Sequence, residues 1–138
     1  MAGSKSNAFE NLFLNHVFGN VALAAPGTVY IGLWTAELDD ASTGETAGEC
    51  SYTSYARVAT VPGTAGWTAA AGGTVKNAAA VTFPTATGDQ AGTITHWAAL
   101  NASAAGTILY HDDLTTSKTV ASGDTPRFAI DALVITED

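Results

Sequence analysis

The apolar positions at the start of the chain follow a helical pattern. They predict a helix from Asn7 to Phe18, with Asn7 as the N-cap, Glu10 three residues on closing a capping box, and Gly19 as the stop. Four apolar residues share one face at helical spacing: Phe9, Leu12, Phe13 and Val17. This is the strongest helical signal in the sequence.

Two further apolar residues of this helix, Leu14 and Phe18, lie off the main stripe. The helix is therefore apolar over more of its surface than one core-facing side requires. Either the two residues cover the sheet of their own domain, which is the commoner arrangement, or they pack on a neighbouring subunit. We take the first as the expected arrangement and keep the second open.

After Pro26 and Gly27 the pattern changes to short strands separated by Gly, Pro, Asn and Asp. Because no helical pattern intervenes, we predict a mainly β fold: a single-domain antiparallel β-sandwich, jelly-roll or Ig-like, with one N-terminal α-helix. Residues 1–20 would form the arm and helix, and residues 21–138 the sandwich. The predicted strands are 28–35, 52–61, 74–83, 92–100, 107–112 and 127–136.

Between the first two strands, residues 37–51 are acidic and poor in large apolar groups, which predicts an exposed loop. The segment Ala71-Gly72-Gly73-Thr74 predicts a hairpin turn. Because large side chains are few, a small set should carry most of the hydrophobic stabilisation. The predicted core is Tyr30, Leu33, Trp34, Tyr55, Phe83, Trp97, Leu109, Phe128 and Ile130. Such a thin core would gain from assembly.

Length and charge limit the function classes. The chain has 138 residues, which suits one domain, and a formal net charge of −8. Its five basic residues are scattered, so direct nucleic-acid binding and binding to an anionic membrane are not expected. No apolar run approaches the roughly 20 residues that span a bilayer. The start does not resemble a secretory signal, and the single cysteine, Cys50, allows no internal disulfide. We therefore expect synthesis in the cytoplasm.

A metal centre is the first chemical possibility we considered. His16, His96 and His111 together with Asp112 and Asp113 have ligand chemistry suited to zinc. Their spacing carries no signature, however, because no His-x-x-x-His or Cys-x-x-Cys pair accompanies them. We predict no metal site and no cofactor.

Catalytic chemistry finds equally little support. The adjacent carboxylates at 39–40 and 112–113 would point to opposite faces of a strand, so neither pair can act on one bond. There is no Gly-x-Ser-x-Gly elbow, and Glu49 beside Cys50 would raise the pKa of the thiol. We predict that the protein is not an enzyme.

Trp67 is the tryptophan expected to be most exposed, and a carbohydrate-binding platform is one possible use for it. A contact with other proteins is another. The residues that we predict for an interface are Phe9, Phe13, Leu14, Phe18 and Trp67.

The order of several short motifs resembles a family of small tailed-phage virion structural proteins, which includes tail-fibre-like and head decoration proteins. The colinear motifs span nearly the whole chain. They are 6–11, 16–19, 29–36, 52–57, 77–84, 92–97, 108–110, 121–128 and 135–138, including Tyr30-Ile31-Gly32-Leu33-Trp34 and Gly92-Thr93-Ile94-Thr95-His96-Trp97.

This resemblance implies a non-enzymatic, β-rich virion component made in the host bacterial cytoplasm and used in many copies. Our first hypothesis is a capsid decoration, or cement, protein that bridges capsomers, with the major capsid protein or other virion proteins as partners and a homo-oligomer as the expected state. The alternative is a tail fibre or minor tail protein, and the third is a small carbohydrate-binding module.

Overall fold

The computed structural model describes residues 4–137, and its fold is mainly β, as the strand pattern predicts. Within these residues one α-helix precedes most of the strands. The elements are β1 (Ser4–Lys5), α1 (Asn7–Phe18), β2 (Val29–Trp34), β3 (Val58–Thr60), β4 (Thr74–Lys76), β5 (Val81–Thr82), β6 (Ile94–Leu100), β7 (Ile108–Lys118), β8 (Arg127–Phe128) and β9 (Val134–Thr136). A short 3-10 turn at Gly63–Ala65 follows β3.

The strands pair in antiparallel fashion throughout the described part of the chain. The main sheet has five strands in the order β1-β7-β6-β2-β3, and two small sheets pair β4 with β9 and β5 with β8. The arm before the helix thus adds an edge strand to the main sheet. The helix leaves the body at that edge.

Alternation along β2 and β6 gives the main sheet two apolar faces. On one face, Ile31 opposite Ala99 and Leu33 opposite Trp97 pack against residues from the small sheets and their loops. A second cluster lies on the other face, beneath the loop after β2: Trp34, Leu38, Ala98, Leu100 and Ile108. The body is therefore a layered β structure with a core on each side of one sheet, which is compatible with the predicted sandwich.

Two of the predicted strands, 74–83 and 127–136, are each broken in the middle, so their prediction as continuous strands is wrong. The buried side chain of Asn77 explains both breaks. Its amide donates to the carbonyls of Ala79 (2.9 Å) and Ala129 (2.7 Å), and its carbonyl accepts from the Leu133 amide (2.8 Å). These bonds satisfy backbone groups that a continuous ladder would otherwise pair.

Two other strand boundaries also differ from the prediction. Strand 52–61 is reduced to β3. Residues 52–55 instead form a turn in which the Tyr55 amide donates a hydrogen bond to the Tyr52 carbonyl (2.8 Å). Strand 107–112 extends to Lys118, since β7 pairs with β6 as far as Ile94 opposite Lys118. The strands predicted at 28–35 and 92–100 are confirmed with slightly shorter bounds.

The loop 37–51 is only partly exposed, which corrects the prediction from its composition. Leu38 lies in the second core cluster, and Cys50 is buried against the first. Within the same loop, Glu49 forms an ion pair with the buried guanidinium of Arg57 (2.7 Å). Despite its acidic composition, the loop is therefore held to the body by two buried apolar side chains, Leu38 and Cys50, and by the carboxylate of Glu49.

Most of the predicted core residues are buried or partly buried, but Ile130 is 58% exposed. Ile130 lies in a turn in which the Ala132 amide donates a hydrogen bond to the Ala129 carbonyl. Within this turn, Asp131 adopts the left-handed backbone region, with a φ of 63°. This turn directs Ile130 outward, so its assignment to the core is wrong.

The predicted hairpin turn is confirmed. Gly72 and Gly73 both have positive φ, and Ala71 and Thr74 exchange two backbone hydrogen bonds across them. Two consecutive residues in the left-handed region favour glycine because a Cβ would be strained there.

The predicted bounds of the helix, Asn7 to Phe18, are confirmed, but its N-cap lies one residue earlier than predicted. Ser6 is the N-cap, its hydroxyl accepting from the Phe9 amide (3.2 Å), so Asn7 is already the first helical residue and the predicted capping box does not form. Gly19 is the C-cap, as predicted, and its amide donates to the Asn15 carbonyl (2.9 Å).

Candidate functional site

The most unusual surface is the helix α1. Within residues 4–137, no residue of α1 is buried, although most of its side chains are apolar. Its exposed large residues, with Val21 just beyond its end, are Leu12, Phe13, Leu14, Val17, Phe18 and Val21, and Phe18 is 82% exposed. The expectation that Leu14 and Phe18 cover the domain's own sheet is therefore wrong, and so is the idea of a core-facing stripe at Leu12 and Val17.

The first turn of this helix is nevertheless firmly held. Ser6 is fully buried, and its hydroxyl donates to the Ile108 carbonyl (2.5 Å). The Asn7 amide donates to the Asp40 carbonyl (2.7 Å), and β1 pairs with β7 through Lys5 opposite Tyr110. Because strand, cap and loop all meet at this point, the apolar helix projects from a fixed base.

Two aromatic residues near the base have specific neighbours. Phe9 is partly buried and packs edge-on against Tyr110, with ring centroids 5.6 Å apart. The ammonium of Lys5 lies 5.2 Å from the centroid of the Phe13 ring and 2.6 Å from a carboxylate oxygen of Glu137. Although partial burial opposes it, the hydrogen bonds from Lys5 and Tyr110 lower the pKa of Glu137. The packing of Phe9 on Tyr110 and of Lys5 on Phe13 therefore brings the first part of α1 into contact with the body.

The fifth predicted interface residue, Trp67, is not brought to the helix. It follows β3, and its indole N–H donates to the Thr60 hydroxyl (3.0 Å) at the opposite edge of the main sheet. It is the most exposed of the three tryptophans, as predicted, yet its ring is partly buried against the first core cluster. Trp67 therefore does not offer the fully exposed flat ring on which a sugar would stack.

A cleft of about 580 Å³ opens beside β7, and no pattern in the sequence predicts it. Trp97, Phe83 and Phe128 contribute aromatic walls, while Asp112 and Arg127 stand among its polar lining. Partial burial raises the pKa of Asp112, and the neighbouring charge of Asp113 adds to that effect. The cleft is amphipathic, because aromatic and charged side chains share its lining.

Two of the three histidines each lie beside a different carboxylate. His96 pairs with Asp113 (2.6 Å), and His111 lies 3.4 Å from a carboxylate oxygen of Asp40. His16 lies in the last turn of α1. Across residues 4–137, no group of three or more His, Cys, Asp or Glu side chains is arranged to hold a metal ion.

The single thiol is placed unfavourably for nucleophilic chemistry. Burial raises the pKa of Cys50 to about 12, and the charge of Glu49 adds to the shift, as the sequence predicted. Burial also raises the pKa of Tyr55, whose hydroxyl donates to Glu49 (3.0 Å) and accepts from the Leu33 amide (3.0 Å). Because only the thiolate is a good nucleophile, Cys50 has the character of a core residue.

The described residues therefore form a small β body that carries a mostly exposed apolar helix at one edge of its main sheet. The chain matches the family described as Podophage GP4 fiber I protein gp80 over residues 4–136. Because the match covers nearly the whole chain, the protein belongs to this family of phage virion structural proteins. It matches no curated protein. No helix among residues 4–137 has the length and apolar character needed to cross a membrane.

Proposed function

We propose that this protein is a non-enzymatic structural component of a phage fibre, in which the β body is a rigid unit and α1 contacts neighbouring proteins. The observation that carries the proposal is the family match across residues 4–136, because that family is described as a fibre protein. This supports the tail-fibre alternative more than our first hypothesis of capsid decoration.

The geometry of α1 supports the assembly part of the proposal. Six large apolar residues from Leu12 to Val21 are between 43% and 82% exposed. At the ~150–200 Å² that a large apolar side chain offers, roughly 600 Å² of apolar surface is uncovered on α1 and the residue Val21 that follows it. Large exposed apolar side chains grouped on one segment in this way favour an interaction site.

The internal ties of the body support its use as a rigid unit. Arg57, Asn77 and Ser6 are buried polar residues, and each joins segments that are far apart in the sequence. A body held in this way can transmit a mechanical load between neighbours because its loops cannot shift independently.

Location on the particle distinguishes the fibre from head decoration. In a cryo-electron map of the complete phage, we expect density fitting residues 4–137 on the tail, in at most a few dozen copies. Particles that lack the chain should lose this density and retain heads that resist heat and chelator as well as those of the complete phage. Restoring the gene should restore the density, which serves as the control.

The opposite result would support decoration. Hundreds of copies on the capsid surface, together with heads that burst at a lower temperature when the chain is missing, would overturn the fibre proposal. Failure of binding across a broad glycan panel, for the native chain and for Trp67→Ala alike, would dispose of the carbohydrate-binding hypothesis.

A further inference from the structure

We infer that the cleft beside β7 receives an extended segment of a different protein, which inserts a large apolar side chain between the layers of the body. The inference goes beyond the proposed function, because it adds a contact surface separate from α1 and holds wherever the protein lies on the particle. It rests on the apolar floor of the cleft, on the strand backbone along its walls and on the charge of its rim.

The floor of the cleft is an open part of the first core cluster. Its volume of about 580 Å³ falls within the roughly 300–1,000 Å³ that ligand pockets occupy. Six residues that line it are core members at most 5% exposed: Leu33, Ile94 and Trp97 from the main sheet, and Phe83, Val120 and Leu133 from segments outside it. An apolar side chain that enters from outside would therefore be buried between the layers.

One wall of the cleft is strand backbone that bulges away from its neighbour. While β6 advances by two residues from His96 to Ile94, β7 advances by five from Asp113 to Lys118, so β7 contains three extra residues here. Residues 115–116 of this bulge line the cleft and have no partner residue in another strand within 4–137. Their amides and carbonyls are available to hydrogen-bond a second chain.

The opposite wall carries two further strand edges. Both residues of β8, Arg127 and Phe128, line the cleft, and so does Val134 of β9. Across the described range 4–137, β8 pairs only with β5 and β9 only with β4, so each has an edge without a neighbouring strand. Strand edges around an apolar floor favour an extended peptide, because its backbone adds hydrogen bonds while its alternate side chains enter the floor.

These features suit a peptide better than a sugar or a lipid. A sugar stacks on an open aromatic ring, whereas Trp97 and Phe83 are only 4% and 2% exposed. The charged residues of the cleft are Asp112, Asp113, Lys118, Asp124 and Arg127. Two cations against three carboxylates give the rim a formal net charge of −1, which does not attract an anionic lipid head group.

The same charge argument places the segment in another protein. This chain has a formal net charge of −8, so a second copy is repelled. Most of its exposed large apolar residues lie in α1, where the backbone is already hydrogen-bonded within the helix. A neutral or basic extended segment with one large apolar residue complements both the rim and the floor.

The first test is a cryo-electron map of the complete particle at a resolution that shows side chains. We expect the cleft to hold an extended segment of a neighbouring protein, with an apolar side chain against Trp97 and backbone hydrogen bonds to residues 115–116. An empty cleft, or one filled by a second copy of this chain or by non-protein density, would overturn the inference. Because the position on tail or head is a separate observation in the same map, failure of the proposed function would be seen independently.

The second test uses the isolated full chain and a library of random peptides of about ten residues. Ala132 is exposed and lines the cleft, so Ala132→Trp should block the cleft. Ala129→Trp, at an exposed alanine of the same turn that does not line the cleft, is the matched control. Selected peptides should share a large apolar residue, bind Ala132→Trp at least ~10-fold more weakly, and bind Ala129→Trp as well as the native chain. Thermal unfolding of both variants checks that they fold.

The third test needs no variant and distinguishes a peptide from a small ligand. Amide exchange at residues 115–116 should slow at least ~10-fold when a selected peptide is bound, because the peptide covers these groups. 3-Methylindole, which reproduces a tryptophan side chain, should shift the NMR signal of the Trp97 indole N–H and leave that exchange unchanged.

Two results in solution would overturn the inference. Selected peptides that bind Ala132→Trp as tightly as the native chain, or that leave exchange at 115–116 unchanged, would show that they bind elsewhere. 3-Methylindole that binds as tightly as the peptides would indicate a site for small apolar molecules.

Discussion

Removing the Arg57 side chain should destabilise the body more than any change on the helix. The guanidinium is almost completely buried, with its side chain 2% exposed, and it donates five hydrogen bonds. Two go to the Glu49 carboxylate (2.7 and 2.8 Å), and the others to the carbonyls of Gly44 (2.7 Å), Ala102 (3.0 Å) and Ala105 (2.8 Å). Arg57→Ala would leave three carbonyls and one carboxylate without this donor.

The expected cost follows from the burial of these groups. Removing one partner of a buried ion pair destabilises proteins by about 3–5 kcal/mol, since the other charge remains partly desolvated. Glu49 keeps 25% side-chain exposure and can recruit water, which places the expected loss near the lower end of that range. For a domain of this length such a loss lowers the melting temperature by roughly 10–20 °C.

Urea unfolding and calorimetry of the dilute chain provide the measurement. Arg127→Ala, at an exposed arginine of β8, is the matched control and should change the free energy of unfolding by about 0.5 kcal/mol or less. Arg57→Lys keeps the charge but cannot form the two-pronged contact with Glu49, so it should fall between the native chain and Arg57→Ala. If Arg57→Ala costs less than about 1 kcal/mol, the view that Arg57 ties the loops together is refuted.

Three further predictions concern other buried groups. Asn77→Ala should lower the free energy of unfolding by about 2–4 kcal/mol, because it leaves two carbonyls and one amide unpaired; urea unfolding measures this, and a loss comparable to that of an exposed-site change would contradict it. Ser6→Ala should weaken the start of α1 by about 1 kcal/mol. Relative to the native chain, amide exchange should become faster in the helix and change less in β6; unchanged exchange in the helix would argue against the cap. The fold favours the neutral form of the Cys50 thiol, because burial raises its pKa from 9.0 to about 12. The stability that the neutral thiol contributes is therefore present below pH 9 and is lost as the pH rises towards 12. Alkaline unfolding should therefore be less steep in Cys50→Ala, and native Cys50 should resist alkylation at pH 8 until urea is added.

The sequence predicted the class of fold and the positions of the main elements because those depend on local signals. Helical spacing located α1, alternation located β2 and β6, and paired glycines located the turn at 72–73. The breaks in two predicted strands were missed for a physical reason. The Asn77 side chain bonds to Ala129 and Leu133, which are 52 and 56 residues away, and nothing in the local pattern indicates a contact of that range.

The same limit applies to the candidate site. The width of the apolar surface on α1 was evident from Leu14 and Phe18, but whether the body covers it depends on where distant segments lie. Likewise, the acidic composition of 37–51 predicted an exposed loop. That prediction failed at Glu49 because its partner is Arg57, which in the sequence is one of five scattered basic residues. The cleft beside β7 has no sequence signal, since its lining comes from several separate segments.

The distribution of these contacts divides the molecule into two energetic parts. In the body, buried polar side chains such as Arg57 and Asn77 are fully paired, so substitutions there should lower the melting temperature of the isolated chain. In α1, residues such as Phe13 and Phe18 have little packing to lose, so substitutions there should weaken association and leave the melting temperature of the dilute chain nearly unchanged. A Phe18→Ser variant that unfolds as easily as Arg57→Ala would show that α1 belongs to the folded body. The assembly role would then need another surface.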